Sequence, residues 1–285
     1  MKFEKTRNVK QYPCILTIAG SDCSGGAGIQ ADIKTISALG AYAASAITAI
    51  TVQNTCGVSA ICPVPSTYVK GQIQAVMTDI SPVSVKIGMI NDAGIIRAIA
   101  ESLHEFTPYY KYIVLDPVMV STSGCKLMED NAIEALTSQL MPMATLITPN
   151  LSEAEVLTGK RITTIPEMEI AAKELLGFGS QAVLVKGGHL NENEMCDVLY
   201  IKGEEHPHRF SSPKIESRNT HGTGCTLSSA IATYLALGEP LDEAVRKAKT
   251  YVYQGILNGK DVHIGEGHGP LNHFFAPVAM RVNEK

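Results

Sequence analysis

Nowhere in the 285 residues does an apolar run approach the roughly 20 that a bilayer crossing demands. The opening residues, MKFEKTRNVKQYP, are polar and lack the apolar core of a secretory leader. Basic blocks are missing too: 24 Lys and Arg face 28 Asp and Glu, a formal charge of -4, with nothing to track a nucleic-acid backbone. The seven cysteines, at 14, 23, 56, 62, 125, 196 and 225, include no CxxC pair and are odd in number, which suits neither a disulfide framework nor a zinc site. A reducing compartment is their natural setting. No linker, repeat or low-complexity segment interrupts the chain. These absences predict a cytoplasmic protein with neither membrane nor nucleic acid as partner. They also predict one domain over 13–275, with short tails at 1–12 and 276–285.

What is present is 45% hydrophobic residues, enough for a full core. Short β-branched apolar runs alternate with amphipathic stretches, a pattern that implies a central, mostly parallel sheet with helices on both faces. The expected strands are Cys14–Ala19, Ala43–Val52, Val83–Met89, Tyr112–Met119, Thr145–Thr148 and Ala182–Lys186. Helical stripes run through Ile29, Ile33 and Ile36, through Val69, Ile73 and Val76, and through Ile95, Ile99 and Leu103. Cys196–Lys202 and His206–Phe210, joined at Gly203-Glu204-Glu205, predict a small antiparallel hairpin at the sheet edge. Two helices, Thr223–Leu237 and Leu241–Leu257, follow around the break Gly238-Glu239-Pro240.

Three groups of residues carry chemistry. The first strand runs into Gly20-Ser21-Asp22-Cys23-Ser24-Gly25-Gly26-Ala27-Gly28, a loop either cradling a small polar ligand or serving as a glycine turn. It does not match the dinucleotide fingerprint. Asp32, one turn on, reaches a ligand or serves as a dipole partner. The second group is Asn219-Thr220-His221-Gly222-Thr223-Gly224-Cys225-Thr226, opening an apolar helix whose free N–H groups suit a phosphoryl group. Cys225 in that first turn is expected to have a thiol pKa below the usual value of about 8.5, fit to act as base or nucleophile, or else to be a small buried residue. The third is a set of polar residues at strand ends, Asp116, Asn150, Glu153 and Lys186. They lie along one rim, where Lys suits phosphate and the carboxylates suit Mg²⁺, although each alone also suits a cap or turn. Neither the Walker sequence G-x-x-x-x-G-K-S/T nor an HRD or DFG segment is present, so a nucleotide would be held by the glycine loop before the C-terminal helix.

Seven runs in order, LTIAGSDCSGGAGIQADIKTISALGAY, TAITVQNTCGV, VKIGM, LDPVMV, ITPNLSEAE, VLVKGGH and NTHGTGCTLSSAIA, resemble the hydroxymethylpyrimidine/phosphomethylpyrimidine kinases of the ribokinase superfamily over roughly 13–275. The resemblance implies an ATP-dependent phosphotransferase of thiamine synthesis with Mg²⁺. It phosphorylates 4-amino-5-hydroxymethyl-2-methylpyrimidine and then the monophosphate. It also implies that Gly222, Thr223 and Gly224 form an anion hole with Cys225 in the base position. Gln53 would grip the pyrimidine, its amide matching a ring nitrogen and an exocyclic amine. Ala27, Asp32 and Met89 would complete that pocket. Lys186, Asn150, Glu153 and Asp116 would hold ATP phosphates, with Glu153 and Asp116 at the metal. A homodimer is implied, and pyridoxal or pyridoxine is the runner-up substrate. A non-catalytic pyrimidine-binding regulator is the alternative of a different class. Cys23 stands where Pro is common in the family and Cys125 where an acidic residue is common; no fused second enzyme is expected.

Overall fold

The computed structural model describes residues 10–119, 128–188 and 194–284. Cys125 lies outside them. The chain begins with β1 (Lys10–Gln11), β2 (Cys14–Asp22), α1 (Gly28–Ala38), β3 (Tyr42–Asn54), β4 (Gly57–Pro63) and α2 (Ser66–Asp79). It continues through β5 (Ser84–Ile87), α3 (Ala93–Glu105), β6 (Tyr112–Leu115), α4 (Asp130–Ala135), β7 (Leu146–Ile147), α5 (Leu151–Thr158), α6 (Ile165–Leu175) and β8 (Ala182–Gly187). It ends with β9 (Glu194–Ile201), β10 (His208–Pro213), α7 (Thr223–Ala236), α8 (Leu241–Gly259) and β11 (Asn283–Glu284).

Nine strands form one sheet in the order β10-β9-β8-β7-β6-β5-β2-β3-β4. From β8 to β3 all neighbours are parallel, while β9 and β10 at one edge and β4 at the other are antiparallel. Both faces are covered, which is why the central strands read as continuous apolar runs. Leu16, Ile18, Val85, Ile87, Ile113 and Leu115 pack under α2, α3 and α6, while Ile15, Val114, Leu146 and Leu184 pack under α1, α7 and α8. The second layer contains the helix that opens at Gly222.

The expected edge hairpin is present as β9–β10, but the sheet has a second one. No strand was expected at β4, whose residues are all half-buried or exposed. GVSAICP has neither a buried apolar run nor a clean alternation, so pairing with β3 alone defines the strand. On α1 the buried face is Ile29, Asp32 and Ile36, with Ile33 only half-buried. A buried carboxylate thus occupies a position that an apolar stripe would fill. β5 and β6 stop at Ile87 and Leu115, shorter than expected. Gly88, Met89 and Asp116 consequently leave the ladder at its carboxyl rim. The ends of the two expected tails pair, Lys10 opposite Glu284 and Gln11 opposite Asn283.

Candidate active site

Two loops far apart in sequence meet at the rim above β2 and β3. A Cβ on Gly222 would stand 1.9 Å from the Gly26 carbonyl oxygen, and one on Gly26 would stand 2.4 Å from His221 Cδ2. Gly222 also has φ +80°, a left-handed conformation that favours glycine. Asp22 is the hub of this junction. It accepts from Ser24 N at 2.9 Å, Ser24 Oγ at 2.7 Å, Ala27 N at 2.8 Å and His221 Nε2 at 2.9 Å. Burial opposes its charge, but the bonds from His221, Ser24 and Ala27 outweigh burial and hold the carboxyl at about 2.

Gln53 is half-buried at the end of β3, its amide nitrogen 3.0 Å from His221 Nε2. With Asp22 ionised, His221 Nε2 carries a proton and cannot accept the amide. Thr51 Oγ1 meanwhile spends its proton on the Ser21 carbonyl at 2.9 Å and lies 3.3 Å from the Gln53 amide oxygen. The two donors no longer face each other when the amide is turned over, its oxygen sharing the His221 Nε2 proton with Asp22 and its NH₂ donating to Thr51. One acceptor and one donor site then remain for a ligand edge. Cys23, the departure in the first loop, grips the same residue: its thiol donates to the Gln53 carbonyl at 3.0 Å and accepts from Gln53 N at 3.4 Å. Ala27 caps α1 against Gly222, and the Met89 sulfur would meet a Cβ on Gly20 at 3.3 Å. Gln53, Ala27 and Met89 therefore line neighbouring strand ends.

Asp32 does not share that setting. Facing β2 and β5 from α1, it accepts from Lys86 Nζ at 2.8 and 3.0 Å, from Thr17 Oγ1 at 2.6 Å and from Ser229 Oγ at 2.6 Å. Both side chains of the Lys86–Asp32 pair are 0% exposed. Thr17 and Lys86 are register partners on the α1/α7 face of the sheet, so strand alternation alone brings them together. Asp32, expected against the pyrimidine, is thus surrounded by protein donors.

On the other side of α7, three of the four expected ATP residues converge. Lys186 Nζ donates to Asp116 Oδ1 at 2.7 Å, and Thr148 Oγ1 donates to the same oxygen at 3.0 Å. Among the described residues Asp116 Oδ2 meets only Ser228 Oγ, at 3.5 Å. Gly224 lies against them, since a Cβ there would be 3.4 Å from Lys186 Nζ and 3.5 Å from Asp116 Oδ2. Lys186, expected at the ATP phosphates, thus also has a protein partner in Asp116. Burial works against its charge, and Asp116 and Glu153 more than offset that. Glu153 is buried and reciprocally caps α5 with Asn150, accepting Asn150 N at 2.8 Å and Met119 N at 3.4 Å. Its carboxyl is pushed up to about 7 by burial, Lys186 opposing and Asp116 adding. Asn150 itself is a cap, as its residue type allows, and bridges to Lys186 through the backbone.

Cys225 sits half-buried in the first turn of α7, between the two lysines. No side chain caps this turn; Thr223 N–H turns back to the Thr220 carbonyl at 3.3 Å, and the N–H groups of Gly224 and Cys225 have no side-chain acceptor at the cap. The thiol is not depressed as expected. Burial pushes it up to about 11, with Asp32 and Asp116 adding, while Lys86 and the Gly28 backbone N–H pull down. The helix-end argument fails because desolvation of the thiolate outweighs it.

Asp22, His221 and Lys86 are the residues that local pattern left out. Their signals were an Asp two residues before a Ser in a glycine loop, and a Lys inside an apolar strand, which requires a partner.

The model of the phosphomethylpyrimidine kinase family matches residues 22–272. A hydroxymethylpyrimidine/phosphomethylpyrimidine kinase of Rhizobium meliloti is 50% identical, with 91% of this chain covering 96% of that protein. A thiamine biosynthesis bifunctional protein of Geobacter sulfurreducens is 48% identical over 94% of this chain, which spans 53% of its length. Among solved structures, a phosphomethylpyrimidine kinase of Clostridium difficile is similar at TM-score 0.75 and 47% identity, covering 85% of this chain and 99% of that one. An ADP complex of Bacillus subtilis pyridoxal kinase is similar at TM-score 0.84 and 35% identity, covering 92% and 98%. The expected ribokinase-like fold is therefore the one found. With the matched segment spanning both site loops and all the converging residues, the chain belongs to the phosphomethylpyrimidine kinase family.

Proposed function

We propose that this chain moves the γ-phosphoryl of ATP to the hydroxymethyl group of 4-amino-5-hydroxymethyl-2-methylpyrimidine, then phosphorylates the monophosphate to the diphosphate in thiamine synthesis. One observation carries the reading: the uncapped turn at Gly222–Cys225 lies between a polar amide aimed from β3 and a Lys–Asp pair open to ligand. Gln53 holds the pyrimidine edge, with Ala27 and Met89 beside it. Gly222 and Gly224 offer N–H donors to the transferred phosphoryl, Thr223 joins them by exchanging its long bond to the Thr220 carbonyl, and Lys186 meets the ATP phosphates. Such transfers depend on positioning and charge rather than covalent steps.

Among the described residues no three His, Cys, Asp or Glu side chains form a ready metal cluster. That suits Mg²⁺, which keeps water and leans on substrate phosphates with one or two carboxylates. Asp116 Oδ2 is available to it, whereas both Glu153 oxygens hold backbone N–H groups, so Glu153 suits an outer position. When bound, the ion neutralises charge on the phosphates. Asn150 serves the site by capping the helix that carries Glu153. Among the described residues no helix is long and apolar enough to cross a membrane, and all six described cysteines are free. Both features support a cytoplasmic setting, where we expect a homodimer without nucleic-acid partners.

Pyridoxal is the second substrate to test, because pyridoxal kinases share this architecture. ADP release with hydroxymethylpyrimidine, its phosphate and pyridoxal, each at matched ATP, separates the readings. Turnover with none of the three leaves a pyrimidine-binding regulator instead. The role of Cys225 is tested on the two transfers separately. A hydroxymethyl group must lose a proton, whereas a phosphate monoester with second pKa about 6 is already anionic. With its thiol near about 11, a Cys225 base makes the first transfer speed up as pH rises from neutrality, and leaves the second flat. Cys225→Ala should remove that slope and cut the first transfer about 10²–10⁴-fold. Equal losses in both single-turnover rates would rule out the base.

A further inference from the structure

The run Gly265-Glu266-Gly267-His268-Gly269 lies between the turn after β3 and the loop before α7, and has no role in the chemistry above. On one side it meets the turn after β3. Gly267 N–H donates to Thr55 Oγ1 at 3.1 Å and His268 N–H to the Thr55 carbonyl at 2.8 Å. On the other side it meets the loop before α7. The Gly269 carbonyl accepts His221 N–H at 3.0 Å, and the Glu266 carbonyl accepts Arg218 Nη2 at 3.3 Å. Asn219 Nδ2 closes the same joint by donating to the Gly259 and Val262 carbonyls, both at 2.6 Å.

The fit leaves no room for side chains at alternate positions. A Cβ on Gly265 would stand 2.3 Å from Thr55 Oγ1, one on Gly267 2.0 Å from the Thr55 carbonyl oxygen, and one on Gly269 2.2 Å from Asn219 Oδ1. Two of these contacts are to backbone or to a short side chain that cannot swing away, and Gly265 adds φ +67°. Thr55 follows Gln53 by two positions, and His221 directly precedes Gly222. One strap therefore touches both the residue that would hold the pyrimidine and the turn that would hold the phosphoryl.

We infer that this glycine strap is a spacer that fixes the distance between Gln53 and the first turn of α7, with Gly267 and Thr55 positioning one end and Gly269 and Asn219 the other. The inference rests on the functional reading above. In-line transfer needs the hydroxymethyl oxygen placed to within fractions of an ångström, and a misplacement of about 1 Å costs about 10²-fold. Packing and backbone hydrogen bonds suit that task, because they are stiff and do not respond to pH. The two ends predict different defects. Loosening the Thr55 end moves the pyrimidine grip, and loosening the Asn219 end moves the phosphoryl-binding turn.

Steady-state kinetics with hydroxymethylpyrimidine and ATP on the full chain test this, with each rate normalised to folded protein. Thr55→Val and Gly267→Ala should raise the pyrimidine KM about tenfold or more, with the ATP KM unchanged within about twofold, while Gly269→Ala should lower kcat. Thr55→Ser, which keeps the hydroxyl, should fall nearer the wild type than Thr55→Val. Thr55→Val preserves shape, so it keeps the test standing if the glycine variants do not fold. Gln53→Leu is the control. No turnover of hydroxymethylpyrimidine by the unaltered chain would remove the functional reading itself, while an unchanged pyrimidine KM in Gln53→Leu would remove Gln53 from the pocket. A raised KM there, beside Thr55→Val and Gly267→Ala that alter only kcat in step with thermal stability or alter nothing, overturns the strap alone.

Discussion

Two lysine–aspartate pairs flank the first turn of α7, and they are built to different ends. Lys86–Asp32 is sealed: both side chains are 0% exposed, and Asp32 also takes Thr17 and Ser229 hydroxyls. Lys186–Asp116 is open: Lys186 keeps 15% exposure, and among the described residues Asp116 Oδ2 has only a long contact from Ser228. Identical residue types therefore perform different work according to how many donors each carboxylate has already accepted. The sealed pair ties α1, β2, β5 and α7 together beneath Cys225, while the open pair leaves an oxygen for a ligand. A buried ion pair is weak evidence for stability, because desolvation offsets its attraction, yet breaking one partner leaves an uncompensated charge.

The sealed pair should give the largest effect when broken. Lys86→Met leaves buried Asp32 with two hydroxyl donors and no countercharge, and should cost about 3–5 kcal/mol in chemical denaturation. Adding Asp32→Asn to it should recover part of that loss, since the stranded charge is gone. A loss below about 1 kcal/mol in the single variant would mean water reaches Asp32, and the contrast between the pairs would collapse.

Lys186→Met should instead be felt mostly in turnover. Removing a preorganised donor to a phosphoryl group typically costs about 10²–10³ in kcat. Stability should fall less than for Lys86→Met, because Lys186 keeps 15% exposure where Lys86 has none, so water can take its place beside Asp116. Denaturation and single-turnover rates measured on both variants rank the two pairs. A larger stability loss at Lys186 than at Lys86 would reverse the assignment.

Much of this was legible locally, and the reason is that strand ends in a parallel sheet share a rim. Asp116, Glu153 and Lys186 each follow an apolar run, so their convergence follows from topology. The uncapped turn at Gly222 reads directly from glycines before an apolar helix. What local pattern could not give depends on contacts across the chain. His221 meets Asp22 199 positions away, and Lys86 meets Asp32 54 positions away. Asp32 is an example: an acid one turn into a helix resembles a ligand group, and its partners on β2, β5 and α7 show only in the fold. The Cys225 thiol was misjudged for the same reason: the helix end is local and lowers its pKa, but the burial that raises it is tertiary.

The smallest expected effect separates the two buried carboxylates whose pKa values move in opposite directions. Asp22, held at about 2 by four donors, contributes stability that is present above the ordinary range of about 3.8 and lost as pH falls through its folded value. Glu153 has the opposite sign. Its folded carboxyl sits at about 7, above its ordinary value of 4.5, so the folded state binds the extra proton between those limits. Stability should therefore decline as pH rises from 4.5 to about 7 and level off above it, by at most about 1.4 kcal/mol per pH unit for one proton. Glu153→Gln should flatten that decline while lowering the overall level, because an amide oxygen can serve one of the two backbone N–H groups but its NH₂ cannot serve the other. A cation beside Asp116 would also favour ionised Glu153. Binding of Mg²⁺ with an ATP analogue near pH 7 should then release a proton, which makes the calorimetric enthalpy depend on the buffer. Glu153→Gln should lose that dependence. A wild-type enthalpy that is the same in phosphate and Tris would mean Glu153 is already ionised or remains protonated throughout, and it would then be only a helix cap.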